Sequence, residues 1–590
     1  MLTQPTAREL EALAMGVFRS VLAVCVTVCV WVRTVSSAEE QISVAAVIRR
    51  VTAGVLVRGR PLGDPRTTGP RVLTKDGIVR GLTADSAHIF YRIPFADPPV
   101  GADRWRPPRP VTPWRGERDA TAPGPACMQR CFGPITDECP KTVSEDCLYL
   151  NVFAPLSVNF SAPLLKLPVM VWIHGGDFIA GSASKPLYDS RLISNFTHTV
   201  VVSVAYRLGA FGFLVSGKDP RLASVGNYGI LDQQAALLWV QQNIAVFGGD
   251  PSKVTIFGES AGAQSVSLHL MIQSSKPLFS QAIIQSLPFS VPLKTRRESL
   301  KLGRSFAKMT NCSMQDLPCL QALSAEVVLT AQTQCSSKLV NPFRFLEVFE
   351  SWGPYLDGQL IQEQAVSAFQ RGHWQTDKPV VLGTTSAEGV VFVYGVFRKA
   401  VTALECSVYT TAIFKHHTLR ILHKYLPLYP GPDHRHLLAQ MVTDYVFLCP
   451  SRRSARAAAL TGGSVWTYVF DHVASDRRVW SGLTSCYDQV CHGAELPFLF
   501  GSAAVANFTL TPAERLLSNR MLCYWGSFAH SADPSSRTLL TQFCRQQRPP
   551  AWPQYSASSG WLMMNLTVRA HAQAGSRNDI CDFWDKLGIY

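Results

Sequence analysis

Ser252-Lys-Val-Thr-Ile-Phe-Gly-Glu-Ser-Ala-Gly-Ala-Gln-Ser-Val266 decides how the rest of the chain is read. Val254 to Phe257 is a short β-branched and aromatic run, the pattern of a buried strand. It stops at Gly258, and Ala261 to Leu270 reads as the start of a helix. Ser260 stands between them, in Gly258-Glu-Ser-Ala-Gly262. A strand that turns sharply into a helix leaves no space for side chains beside the turn. Glycine on either side relieves the crowding and leaves the hydroxyl at the positive end of the helix. Ser260 is therefore the expected nucleophile.

Outward from this turn the same alternation repeats. Leu148 to Phe153, Leu167 to Ile173 and Val200 to Tyr206 read as strands before it, and Leu231 to Asn243 as a helix. Pro379 to Gly383 and Ser464 to Phe470 read as later strands. Apolar strands alternating with helices predict an α/β fold, a large and mostly parallel sheet covered on both faces. Arg71 to Val79 reads as a small hairpin about Asp76-Gly77. Neither a repeat nor a linker follows residue 71, so 71–590 is expected to be one catalytic domain.

Of 590 residues, 47% are apolar and 17% charged, which supplies a core and argues against disorder. The net charge of +14 is spread along the chain, densest between Arg49 and Arg71, without the interleaved aromatics of a nucleic-acid surface. A basic solvated surface and no nucleic-acid partner are expected. Arg19 precedes the apolar run Val21 to Val32, followed by Ser36-Ser-Ala38. This predicts a secretory signal over 1–38, since a membrane span needs about 20 apolar residues. Residues 39–70 read as a basic, Gly- and Pro-rich leader. No stable membrane anchor is expected, and the product is expected to be extracellular.

Export makes the 16 cysteines readable as a bridge framework; Cys25 and Cys29 leave with the signal, and 14 remain. Asn159, Asn195, Asn311, Asn507 and Asn565 each precede Ser or Thr by two positions, as glycosylation acceptors do. The cysteines lack zinc-ligand spacing, so neither a metal nor another cofactor is expected.

A serine hydroxyl needs an adjacent base, itself oriented by an acid. The loop after Val380 to Leu382 presents Glu388, and Cys491-His-Gly-Ala-Glu-Leu-Pro497 presents His492. Nucleophile, acid and histidine then follow in the chain order such folds use. Donors for a tetrahedral oxyanion are expected from Gly175, Gly176 and Asp177, in the turn after Ile173-His174, and from Ala261.

On these residues the chain resembles the type-B carboxylesterase and cholinesterase family over nearly all of 71–590. Seven segments match in order: Ile93 to Gly101, Ser144 to Asn151, Trp172 to Gly176, Phe247 to Pro251, Gly258 to Gly262, His492 to Phe498 and Cys581 to Asp585. The resemblance implies an α/β-hydrolase fold and a serine esterase acting on small-molecule carboxylic esters. It makes Ser260 the acylated residue, Glu388 the acid and His492 the base. It also implies the bridges Cys127–Cys147, Cys312–Cys319 and Cys449–Cys581. Cys131–Cys139 and Cys486–Cys491 are further neighbouring pairs, while Cys335, Cys406, Cys523 and Cys544 are left unassigned.

Departures bear on substrate. The first disulfide loop lacks the tryptophan that holds choline in cholinesterases, with Asp137 near its place, and Val391 stands where an aromatic is expected, although Phe392 follows. A general carboxylesterase therefore fits better than a choline esterase. Asp177 replaces the family's third oxyanion glycine. Its carboxyl is expected to turn into a hydrogen-bond network, or alternatively to orient the deacylating water. Arg92 and Leu287 replace two further glycines, with packing consequences expected. The alternatives are a catalytically silent adhesion or ligand-binding homologue and a lipase of the same family. Oligomeric state is not legible.

Overall fold

The computed structural model describes residues 69–131, 139–162, 166–336, 345–537, 541–575 and 577–589. The signal expectation, the leader up to residue 68, and Asp137 fall outside the described residues. Eleven strands form the main sheet. In chain order they are β1 (Leu82–Ala84), β2 (Ala87–Pro94), β3 (Tyr149–Ala154), β4 (Leu167–Ile173), β5 (Val200–Val204) and β6 (Gly249–Glu259). They continue as β7 (Gln281–Gln285), β8 (Val380–Thr385), β9 (Val465–Phe470), β10 (Leu562–Leu566) and β11 (His571–Ala574). Their spatial order is β11-β10-β9-β8-β7-β6-β4-β5-β3-β2-β1. Every pairing from β5 to β10 is parallel, and antiparallel strands flank them at both ends. This is the α/β-hydrolase arrangement.

Side-chain alternation along these strands builds two cores. Met170 and Trp172 of β4 join Phe257, Ile283, Val381 and Tyr468 on one face. Val169, Val171 and Ile173 join Val254, Ile256, Ala282, Ile284 and Leu382 on the other. Successive strand residues point to opposite faces, so a strand buried on both sides is apolar along most of its length. The few polar residues it carries are small or amide side chains such as Asn151, Ser203 and Gln285. β3, β5, β7, β8 and β9 are buried throughout.

The elbow strand starts earlier than its apolar run. β6 reaches back to Gly249, which pairs with Leu167 before the register shifts at Val254. Ser252 and Lys253 in this extension are exposed, which is why hydropathy hides it. β2 and the hairpin β10–β11 also escape a sequence reading. β2 carries a bulge between Phe90 and Ile93, where Arg92 takes a φ of 53°. β11 is mostly exposed and short, so its pairing to β10 sustains it. The left-handed backbone explains why a glycine suits position 92; Arg92 instead lays its guanidinium 5.3 Å from the Tyr149 ring.

Arg207, just after β5, clamps Asp232 of the helix Tyr228–Asn243 through Nη2–Oδ1 at 2.6 Å and Nε–Oδ2 at 2.7 Å. Both side chains are buried, and the Arg207 N–H adds a third bond to Oδ2. Asp232→Ala would strand a buried guanidinium and is expected to destabilise the fold by about 3–5 kcal/mol. Urea unfolding checks this; a loss below 1 kcal/mol would mean that the pair is hydrated.

Six disulfides are present among the described residues: Cys127–Cys147, Cys131–Cys139, Cys312–Cys319, Cys449–Cys581, Cys486–Cys491 and Cys523–Cys544. The last joins two cysteines that sequence spacing leaves unassigned; a helix, Pro512–Ser531, brings Cys523 against the short helix of Cys544. Cys406 is a buried thiol, and Cys335 is buried with its sulfur 3.5 Å from Met309 Sδ. Asn159, Asn311 and Asn507 are exposed, Asn195 half-buried. Asn565, also half-buried, lies inside β10 with its Oδ1 buried and without a hydrogen bond.

Candidate active site

Ser260 sits at the end of β6, at φ 58° and ψ −123°, before the helix α1 (Ala261–Met271). Its N–H donates to Gln285 O at 3.0 Å, tying the turn to the end of β7. The flanking glycines are required by contact rather than by dihedral. A Cβ on Gly258 would lie 2.6 Å from Ile173 O, and one on Gly262 2.0 Å from the same atom. The helix therefore packs against the end of β4 without intervening side chains, and Ser260 is pushed clear of the sheet.

The turn after β4 approaches from the other side. A Cβ on Gly175 would stand 2.6 Å from Glu259 O and 3.1 Å from the Ser260 Cβ. Gly176 has φ 112°, and Asp177 and Phe178 both have φ 55°. Among the described residues the N–H groups of Gly176 and Asp177 donate to no acceptor. Ala261 opens α1, where N–H groups lack an intrahelical acceptor. The turn is braced by His174, whose Nδ1 lies 2.8 Å from Gly175 O and whose ring stacks on Tyr206 at 4.5 Å. Burial drives the His174 pKa down to about 4, so this ring is neutral. Gln129 exchanges two hydrogen bonds with Gly181 and pins the far end of the loop.

Glu388 and His492, 104 residues apart, are joined by a hydrogen bond of 2.6 Å from Nδ1 to Oε2. Glu388 is fully buried and accepts the Thr385 N–H on its other oxygen at 2.7 Å. The Cys486–Cys491 bridge closes the chain just before His492, and Phe392 and Phe447 pack on the imidazole at 5.1 and 5.2 Å. His492 Nε2 is buried without a hydrogen bond; Glu259 Oε1 lies 3.1 Å away but outside hydrogen-bonding alignment.

Burial alone would lower the His492 pKa, yet Glu259, Glu388 and Glu495 together outweigh it and raise it to about 9. Glu495, also fully buried, is pushed up to about 8 by burial and by the same carboxylates. Glu259 is likewise raised by burial, against the pull of His492.

A cavity of about 300 Å³ is lined by Ser260, His492, Gly175, Gly176, Asp177 and Glu259, with Tyr188, Phe392 and Trp480 among its walls. A second, of about 60 Å³, meets it at Ser260, Asp177 and Phe392 and is lined by Ala261, Gln264, Val291, Glu350 and Phe447. Phe392 thus stands in the wall although Val391 holds the expected position. Sequence reasoning missed Glu350, Trp480 and Phe447, which come from irregular or helical segments remote from any motif; no local signal marks them. Asp177 departs from its first expectation: the residue lines both cavities, and its side chain makes no hydrogen bond among the described residues. Among the described residues no group of three or more His, Cys, Asp or Glu is placed to hold a metal, and no helix is long and apolar enough to cross a membrane.

The chain is similar to several characterised proteins over nearly its whole length. It is 35% identical to a crystal protein of Dictyostelium discoideum over 535 residues, covering 90% of this chain and 92% of that one. It is 36% identical over 504 residues to a cAMP-regulated D2 protein of the same organism, covering 84% and 89%. It is 32% identical over 554 residues to an acetylcholinesterase of Bungarus fasciatus, covering 87% and 86%. The family model described as carboxylesterase family matches residues 68–584, and with this coverage the chain belongs to the carboxylesterase family.

Proposed function

We propose that the protein is a serine carboxylesterase with Ser260 as nucleophile, His492 as general base and acid, and Glu388 as its orienting acid. The observation that carries this reading is the single cavity lined by Ser260, His492 and the Gly175–Gly176–Asp177 turn, with Glu388 held 2.6 Å behind the imidazole. Glu388 keeps the proton on Nδ1, which leaves Nε2 as the basic nitrogen facing the cavity. Nε2 takes the Ser260 proton as Oγ attacks the ester carbonyl. The oxyanion is met by N–H groups of Gly176, Asp177 and Ala261, with Gly175 allowing the close approach. Each donor contributes roughly 3 kcal/mol to lowering the barrier. His492 then passes the proton to the leaving alcohol, and water activated by the same nitrogen releases the acid.

This division assigns the two cavities. The leaving oxygen must be protonated by His492, so the alcohol lies in the larger cavity that His492 lines. The acyl group turns away into the smaller one, which His492 does not line. Assay of short p-nitrophenyl esters with fluorophosphonate labelling tests the reading. Turnover with one label per chain is expected; a folded protein showing neither would favour the silent, ligand-binding alternative. A signal over 1–38, a leader over 39–70, a catalytic domain over 71–590 and an extracellular product belong to the same proposal, supported by the leader pattern, the sequons and the disulfides. Loss of mass on glycosidase treatment of the secreted chain checks it.

Glu259 sets the working pH. Its carboxylate lies 3.1 Å from Nε2 and favours the imidazolium, which cannot act as base. Turnover should therefore rise with pH through the His492 pKa of about 9. Removing a negative charge lowers that pKa, so Glu259→Gln is expected to move the acid limb of kcat/KM to lower pH. A limb that stays in place would show that Glu259 is protonated throughout.

A further inference from the structure

The smaller cavity is apolar on most of its wall, with Pro288, Val291, Leu346, Val446 and Phe447, but two acids also line it. Asp177 enters from the turn after β4, and Glu350 from the segment Phe345–Glu350. Gln264, on α1, hydrogen-bonds the Glu350 side chain, and Lys294 Nζ donates to the Glu350 main-chain carbonyl. Glu350 is 5% exposed. An apolar acyl chain has no use for two carboxyls at this point, and an ionised Asp177 would oppose the oxyanion forming beside it.

We propose that Asp177 and Glu350 select esters whose acyl group carries a short-chain amine, the ammonium lying between the two carboxyls. The proposal rests on the serine-esterase reading and on the acyl group occupying this cavity. Two carboxylates and the Lys294 ammonium leave one negative charge for a substrate cation to balance. A bound ammonium also removes the repulsion between Asp177 and the oxyanion. Without such a cation the site must keep a proton: burial raises Asp177 well above the usual carboxyl range, Glu350 adds to it, and burial lifts Glu350 to about 7 against the pull of Lys294. A volume of about 60 Å³ admits a chain of a few heavy atoms and excludes long or branched acyl groups.

The test compares phenyl 3-aminopropanoate with phenyl butanoate, whose acyl chains differ only by the terminal ammonium. Wild-type kcat/KM is expected to favour the amine by roughly 10- to 100-fold, the range of a charged hydrogen bond. In Glu350→Gln, checked for folding by its melting, the ratio is expected to fall toward one. A wild-type ratio of one or less, or an unchanged ratio in the folded variant, overturns the proposal. Calorimetric binding of 3-aminopropanamide against butanamide reads the pocket without turnover. Tighter binding of the amine in a chain that hydrolyses neither ester keeps the pocket and sinks the esterase reading; equal binding sinks the pocket itself.

Discussion

Ser260→Ala is expected to lower kcat on p-nitrophenyl acetate by about 10⁵–10⁶-fold and to abolish fluorophosphonate labelling, with melting unchanged. The size follows from what the residue does alone. Ser260 stands on a strand-to-helix turn, against the Gly175 turn and in one cavity with His492. Removing Oγ leaves the oxyanion donors and binding cavity in place, so a residual rate above that in water should persist. Alanine accepts the φ of 58° about as well as serine, and Ser260 N–H still reaches Gln285 O, so the fold should not register the change. Labelling that survives at another serine would remove Ser260 from the proposed chemistry.

Glu388→Gln is the second large effect, about 10⁴-fold in kcat with KM little altered. The reason lies in the two contacts of the carboxylate. Oε1 accepts the Thr385 N–H at 2.7 Å, and Oε2 accepts from His492 Nδ1 at 2.6 Å. A glutamine can satisfy Thr385 only by placing its oxygen there, which turns its NH₂ toward Nδ1. Nδ1 must then accept, the proton moves to Nε2, and the nitrogen facing the cavity is no longer basic. The loss of a carboxylate also lowers the His492 pKa, so the acid limb should fall in the same variant. A decrease below tenfold would mean that a different group orients the ring, Glu259 being 3.1 Å from Nε2.

Much of this was legible in the linear chain. β4 matches its apolar run residue for residue, because Pro168 to Ile173 are all buried on one face or the other and such a run is held apolar. The elbow is legible for a related reason: Gly258 and Gly262 are held glycine by the carbonyl of Ile173, a steric demand that leaves a mark in the sequence. β11 and the start of β6 left no such mark, since exposed residues pair there through main-chain bonds that any side chain allows.

By itself, then, the sequence determined the parallel core, the turn at Ser260 and the chain order of the three proposed reacting groups, because burial and close backbone contact restrict residue type locally. Tertiary structure alone decided what faces them. Glu259 and Glu495 acquire their raised pKa values from burial and from neighbouring carboxylates, Glu388 for both and Glu259 for Glu495, and Cys523 meets Cys544 across two helices. Asp177 and Glu350 share a cavity only because the β4 turn and a remote segment converge on Ser260. Charge, desolvation and cavity shape depend on distances through space, which spacing along the chain does not encode.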